Sequence, residues 1–140
     1  MNRNKARAFL LRYREQCERV RELENEAEEI LTRATRRTAN PDEYDNSKCY
    51  GDKVGNGAAT LAILSERIAA AKAKRLETER EIFFVIDRVQ DGDVAEILDR
   101  YYLECMTLAS IADVMGRTER WTQELHKRGL DEVARLLANG

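Results

Sequence analysis

Between residues 117 and 128 the chain reads RTERWTQELHKR, which brings Arg117, Thr118, Arg120, Thr122, Gln123, Lys127 and Arg128 into a short window. These side chains suit contact with duplex DNA. Arg can donate two parallel hydrogen bonds to guanine, Gln can pair with adenine, and Thr can donate to a phosphate oxygen. A helix N-terminus in the same place also favours phosphate. The local charge is thin, however. From 107 to 130 the bases are Arg117, Arg120, Lys127 and Arg128 and the acids are Asp113, Glu119 and Glu124, a net of one positive. The whole chain carries a net charge of -2, so any DNA contact must come from a local patch.

Other chemistries find less support. His126 is the only His, so neither a zinc site nor a Cys–His dyad can be assembled in the usual way. It reads as a surface or phosphate-contacting residue. No Gly-rich phosphate loop occurs, and no acid pair has a spacing that suggests a metal site or acid–base catalysis. The expectation is a non-enzyme without cofactors or bound metal. Cys17 and Cys105 fall on apolar helical positions and read as core. Cys49 lies in a polar stretch and reads as the reactive thiol. Three scattered cysteines do not suggest a disulfide framework. With no apolar run long enough to span a bilayer and no signal-peptide core at the start, a cytoplasmic protein is expected.

Elements must position the 117–128 window, and their pattern is helical throughout. Aromatics make up only 6% of the chain, against 36% charged residues, which favours long solvated helices over a large globular core. Over 3–37, Leu10, Tyr13, Cys17, Val20, Leu23, Ala27, Ile30 or Leu31, and Ala34 recur at steps of three and four, one helical stripe. Residues 38–57 contain Pro41, Gly51, Gly55 and Gly57 among Asn and Asp, and read as a long loop. Over 58–90, Leu61, Leu64, Ile68, Ala71, Arg75, Thr78, Ile82, Val85 and Val89 form a heptad seam. An antiparallel, coiled-coil-like helical hairpin over 1–90 follows, with a homodimer expected from its seam. The run Ile82-Phe83-Phe84-Val85-Ile86 is apolar on more than one face, so this end should meet another element.

Residues 91–140 read as a tri-helical unit. Gly92 breaks the second long helix, and Asp93 with Glu96 resembles a capping box. A helix over 94–104 buries Val94, Ile97, Leu98 and Tyr101, with Tyr102 a further candidate. Thr107 caps a helix over 108–115, Gly116 stops it, and Thr118 caps a last helix running to about 138. Ala112 sits where those two helices cross closely. Leu108, Ile111, Val114 or Met115, Leu125, Leu130, Val133 and Leu137 supply the core. The predicted fold is all-α: a long helical hairpin followed by a C-terminal helix-turn-helix.

The stretch TLASIADVMGRTERWTQELHKRGLDEV resembles region 4 of bacterial sigma factors. The features in common are the Ile111-Ala112 pair, the Gly116 turn, the small cap Thr118, and the closing Arg128-Gly129-Leu130. In layout the chain is similar to small phage and prophage proteins with a sigma-region-4-like C-terminus, the ArpU/RinA-like late transcription regulators, which share a Leu-His pair, here Leu125-His126. Thr122 stands where that pattern has Val, and Gly129 where it has Ala; Trp121 can take the apolar role. The resemblance implies a phage or prophage DNA-binding transcription regulator in a bacterial or infected bacterial cell, in contact with RNA polymerase. Two other readings fit the residues. One is a helical adaptor or assembly protein that never touches DNA. The other is a phage DNA-packaging subunit, though that class usually places its DNA module first.

Overall fold

The structure, a computed structural model, describes residues 2–39 and 47–140, with side chains outside 36–56. It is all-α: α1 (Arg3–Ala39), α2 (Ser47–Asp87), α3 (Gly92–Leu98), a π-helical turn (Asp99–Leu103), α4 (Leu108–Met115) and α5 (Glu119–Asn139). Helix occupies 38–39 and 47–57 of the stretch expected as a loop over 38–57, and the rest of it lies outside the described residues. Helix reaches Ala39, and α2 starts at Ser47 and runs through Gly51, Gly55 and Gly57. Glycine weakens a helix by about 1 kcal/mol relative to alanine, but it does not forbid one. Proline does break helices, and Pro41 lies outside the described residues, as do the other residues of 40–46. Cys49 is thus helical, and its side chain lies outside the described set.

The chain divides into two compact units. The first joins residues 1–16 to residues 75–140, and the second is residues 17–74. The division therefore falls inside α1 and α2, not at the expected boundary near residue 90. The reason is visible in the first unit's core. Ala6 and Leu10 from the start of α1 and Ile82, Ile86 and Val89 from the end of α2 and just beyond it are buried. They share one cluster with Val94, Ile97, Leu98, Tyr102, Ile111, Leu125, Leu130, Val133, Ala134 and Leu136. Arg12 of α1 and Glu81 of α2 are ion-paired within this unit. Arg3 also binds Asp131 of α5 through two hydrogen bonds of 2.6 and 2.9 Å.

In the second unit the two helix segments run antiparallel. Lys72 pairs with Glu24 at 3.1 Å, while Gly57 lies near Ile30. Val20, Leu23 and Leu64 are buried, with Ala27, Ile30, Leu61, Ile68 and Ala71 half-buried. Both predicted stripes thus face inward, with Ile30 taking the position and Leu31 left exposed.

Around residue 90 the local details differ from expectation. Helix α2 stops at Asp87 and Gly92 opens α3 rather than ending α2. Asp91 is the cap: its carboxylate accepts from the N–H groups of Asp93 and Val94 at 3.0 and 3.3 Å. Past Leu98 the chain widens into the π-helical turn, closed by Glu104 N–H to the Asp99 carbonyl at 3.1 Å. Cys105 follows at φ 58°, in the left-handed region, and is exposed rather than core; Cys17 is half-buried.

Candidate nucleic-acid interface

The window of donors sits on α5, and three local features aim it. Thr107 caps α4, its hydroxyl accepting from Ser110 N–H at 3.1 Å. Gly116 ends α4 at φ 65° and ψ 35°, a conformation that costs an L-residue strain but not glycine. Thr118 then caps α5, its hydroxyl accepting from Trp121 N–H at 3.1 Å. Between the helices, Ile111 and Ala112 are buried, while Met115 is half-buried and Val114 points outward. The α4–turn–α5 segment therefore forms as the sequence predicts.

The seven donors divide once placed on α5. Arg120, Gln123 and Lys127 are exposed and spaced i, i+3, i+7, which puts them on one stripe of the helix. Arg128 is exposed but lies on a neighbouring stripe beyond Glu124. Glu124 is itself exposed and approaches Arg120 at 3.7 Å. Arg117 is exposed, with its guanidinium 5.1 Å from the centre of the Trp121 ring. Trp121 is half-buried against the core cluster, so it packs on its own unit.

The two threonines differ. Thr118 is exposed, and only the oxygen of its hydroxyl is used, as acceptor in the helix cap. Thr122 is fully buried and donates its hydroxyl to the Thr118 carbonyl at 3.0 Å, so it cannot meet DNA. The physical reason is its register: Thr122, His126, Gly129 and Val133 follow the 4-3-4 spacing of the inward face of α5, and all four are buried.

His126 overturns its surface reading for the same reason. Its Nε2 lies 2.8 Å from the Tyr102 hydroxyl, and both rings are buried. Burial pushes the Tyr102 phenol up to about 12, and burial followed by the positive charge of Arg7 brings His126 down to about 4. At neutral pH both the phenol and the imidazole are therefore neutral, and the hydrogen bond between them takes its direction from the imidazole tautomer. The π-helical turn presents Tyr101 and Tyr102 to this site. Tyr101 stacks edge-on to Tyr102 with ring centres 4.7 Å apart, and its carbonyl accepts from Arg14 at 2.7 Å. Sequence reading offered Tyr102 as a buried candidate but missed His126 as its partner. The signal was present in the apolar register of position 126.

Gly129 lies where α3 and α5 cross closely. A Cβ there would fall 2.9–3.0 Å from three atoms of the buried Leu98 side chain. Glycine lets α3 and α5 approach closely.

Among the described residues no group of His, Cys, Asp and Glu is arranged to hold a metal ion, and no helix is long and apolar enough to cross a membrane. Compared with known protein families, curated proteins and solved structures, the chain finds no match.

Proposed function

We propose that the chain is a DNA-binding transcription regulator of the phage or prophage type, with α5 entering the major groove. The observation that carries this reading is the exposed Arg120–Gln123–Lys127 stripe, set directly after the Gly116 turn and the Thr118 cap. Arg120 and Gln123 supply base-edge donors and Lys127 a phosphate contact. In this reading the N-terminal helices serve dimerisation or contact with RNA polymerase, in the cytoplasm of a bacterium or an infected bacterial cell. With a net charge of -2 opposing the polyanion, a single copy binds weakly and loses affinity steeply with salt.

Fluorescence anisotropy with labelled prophage promoter fragments tests it. Binding is expected at about 50 mM salt, falling as salt rises. Arg120→Ala with Lys127→Ala should weaken it about tenfold or more. No binding at low salt, or binding indifferent to both substitutions, sinks the proposal.

A second reading is favoured by one observation. Glu124 lies between Arg120 and Arg128 and ion-pairs with the first. A mixed-charge face of this kind suits a protein partner, as in a helical adaptor. That reading expects the same double substitution to abolish capture of a protein while DNA binding is absent from the outset.

A further inference from the structure

On α2, the positions facing the core are Thr78, Ile82, Ile86 and, just past the helix, Val89, all buried. The opposite face carries Arg80, Phe83, Phe84 and Asp87, spaced i, i+3, i+4, i+7, and all four are exposed. Phe83 is 54% and Phe84 67% exposed, more than a monomer surface normally leaves of two adjacent aromatics on one helix. Neither Arg80 nor Asp87 forms an ion pair among the described residues.

The order of these four residues is self-complementary. Reversing the helix direction exchanges Phe83 with Phe84 and Arg80 with Asp87. We propose that this face of α2 binds the same face of a second copy of the chain, the two helices antiparallel about a two-fold axis between Phe83 and Phe84. Phe83 of each copy then lies level with Phe84 of the other. Arg80 of each lies opposite Asp87 of the other, forming two reciprocal ion pairs at the ends of the aromatic patch. A two-fold contact requires a surface complementary to itself, and a basic group must therefore be matched by an acidic one at the mirrored position. This stripe meets that condition, and it requires no other chain. The inference rests on the dimerisation half of the proposed function and is independent of DNA binding.

Sedimentation equilibrium of the full chain, without DNA, tests it. One helix crossing is smaller than a standard interface, so a monomer–dimer equilibrium is expected within about 1–200 µM. Phe84→Glu should weaken dimerisation at least about tenfold, because it places a charge in the aromatic patch. Arg80→Asp and Asp87→Arg should each weaken it about tenfold, by setting like charges opposite one another. The double exchange Arg80→Asp/Asp87→Arg should return the affinity to within about threefold of the parent chain. All four positions are exposed, and circular dichroism should show the helical content unchanged. A chain that stays monomeric throughout this range overturns the proposal. So does a dimer indifferent to Phe84→Glu, or a double exchange that fails to recover. The absence of DNA keeps these outcomes separate from those of the anisotropy experiment.

Discussion

His126 shows how one buried side chain can make the whole fold sensitive to acid. Its imidazole is hydrogen-bonded to the Tyr102 hydroxyl at 2.8 Å and sits in a desolvated site beside Arg7, so it resists protonation down to about pH 4. An unfolded chain takes up that proton near the ordinary value of 6.5. Above 6.5 both states are neutral and the full stability is present. As pH falls below 6.5 the unfolded state gains a proton that the folded state refuses, so stability drops until about pH 4. The loss attributable to this residue is about 3 kcal/mol. His126→Gln keeps an acceptor for the phenol but cannot titrate. Urea unfolding at pH 7, 5.5 and 4 should therefore fall more steeply for the parent chain than for the variant. Equal slopes would show that carboxylates alone set the acid response.

Where elements meet, the tightest restriction is the crossing of α3 and α5. A methyl group at position 129 must displace Leu98, which is fully buried and cannot swing away. Alanine favours a helix interior by about 1 kcal/mol, whereas overpacking a close-packed core costs about 1–3 kcal/mol. Gly129→Ala should thus destabilise by about 1 kcal/mol in denaturant unfolding, despite the better propensity. In a Leu98→Ala background the methyl group has room, and the same substitution should become neutral or stabilising. The sequence resemblance, with alanine at this position, gives the opposite expectation. Legibility follows the same division between local and tertiary causes. The stripes of α1 and α2 were readable because periodicity alone decides which face is apolar. Thr107, Gly116 and Thr118 were readable because caps and left-handed turns depend on one residue and its neighbours. The π-helical turn was not, since no local rule marks it in 99–103, and its Tyr102 meets His126 from another helix. The start of α2 was not, because its glycines look like loop residues to any local rule. At the candidate interface Arg120, Gln123 and Lys127 are exposed, whereas Thr122 is buried. A hydroxyl on a helix can satisfy itself on the carbonyl four residues back, so polarity was a poor guide to its exposure.

At the scale of the whole molecule, the 117–128 window depends on residues far away in the chain. Five of the fifteen residues in the core cluster, Ala6, Leu10, Ile82, Ile86 and Val89, precede residue 90. Fully burying a large aliphatic side chain contributes about 1.5–3 kcal/mol, so losing four of these along with Ala6 removes an amount comparable to the stability of a small domain. A segment holding only α3, α4 and α5, cut from the chain at residue 91, should therefore not survive as an independent folded unit. The expected result for residues 91–140 alone is weak helicity and a broad, non-cooperative thermal transition by circular dichroism. A second variant separates this from simple fragility. Arg12 and Glu81 pair side by side, so a short Gly-Ser linker can join residue 16 to residue 75 in place of residues 17–74. That shortened chain retains every member of the cluster and should melt cooperatively, with Arg120, Gln123 and Lys127 presented as in the parent. A cooperative melt for 91–140 alone would instead mean that Val94, Ile97, Leu98 and the inward face of α5 suffice, and that the first turns of α1 merely cover them.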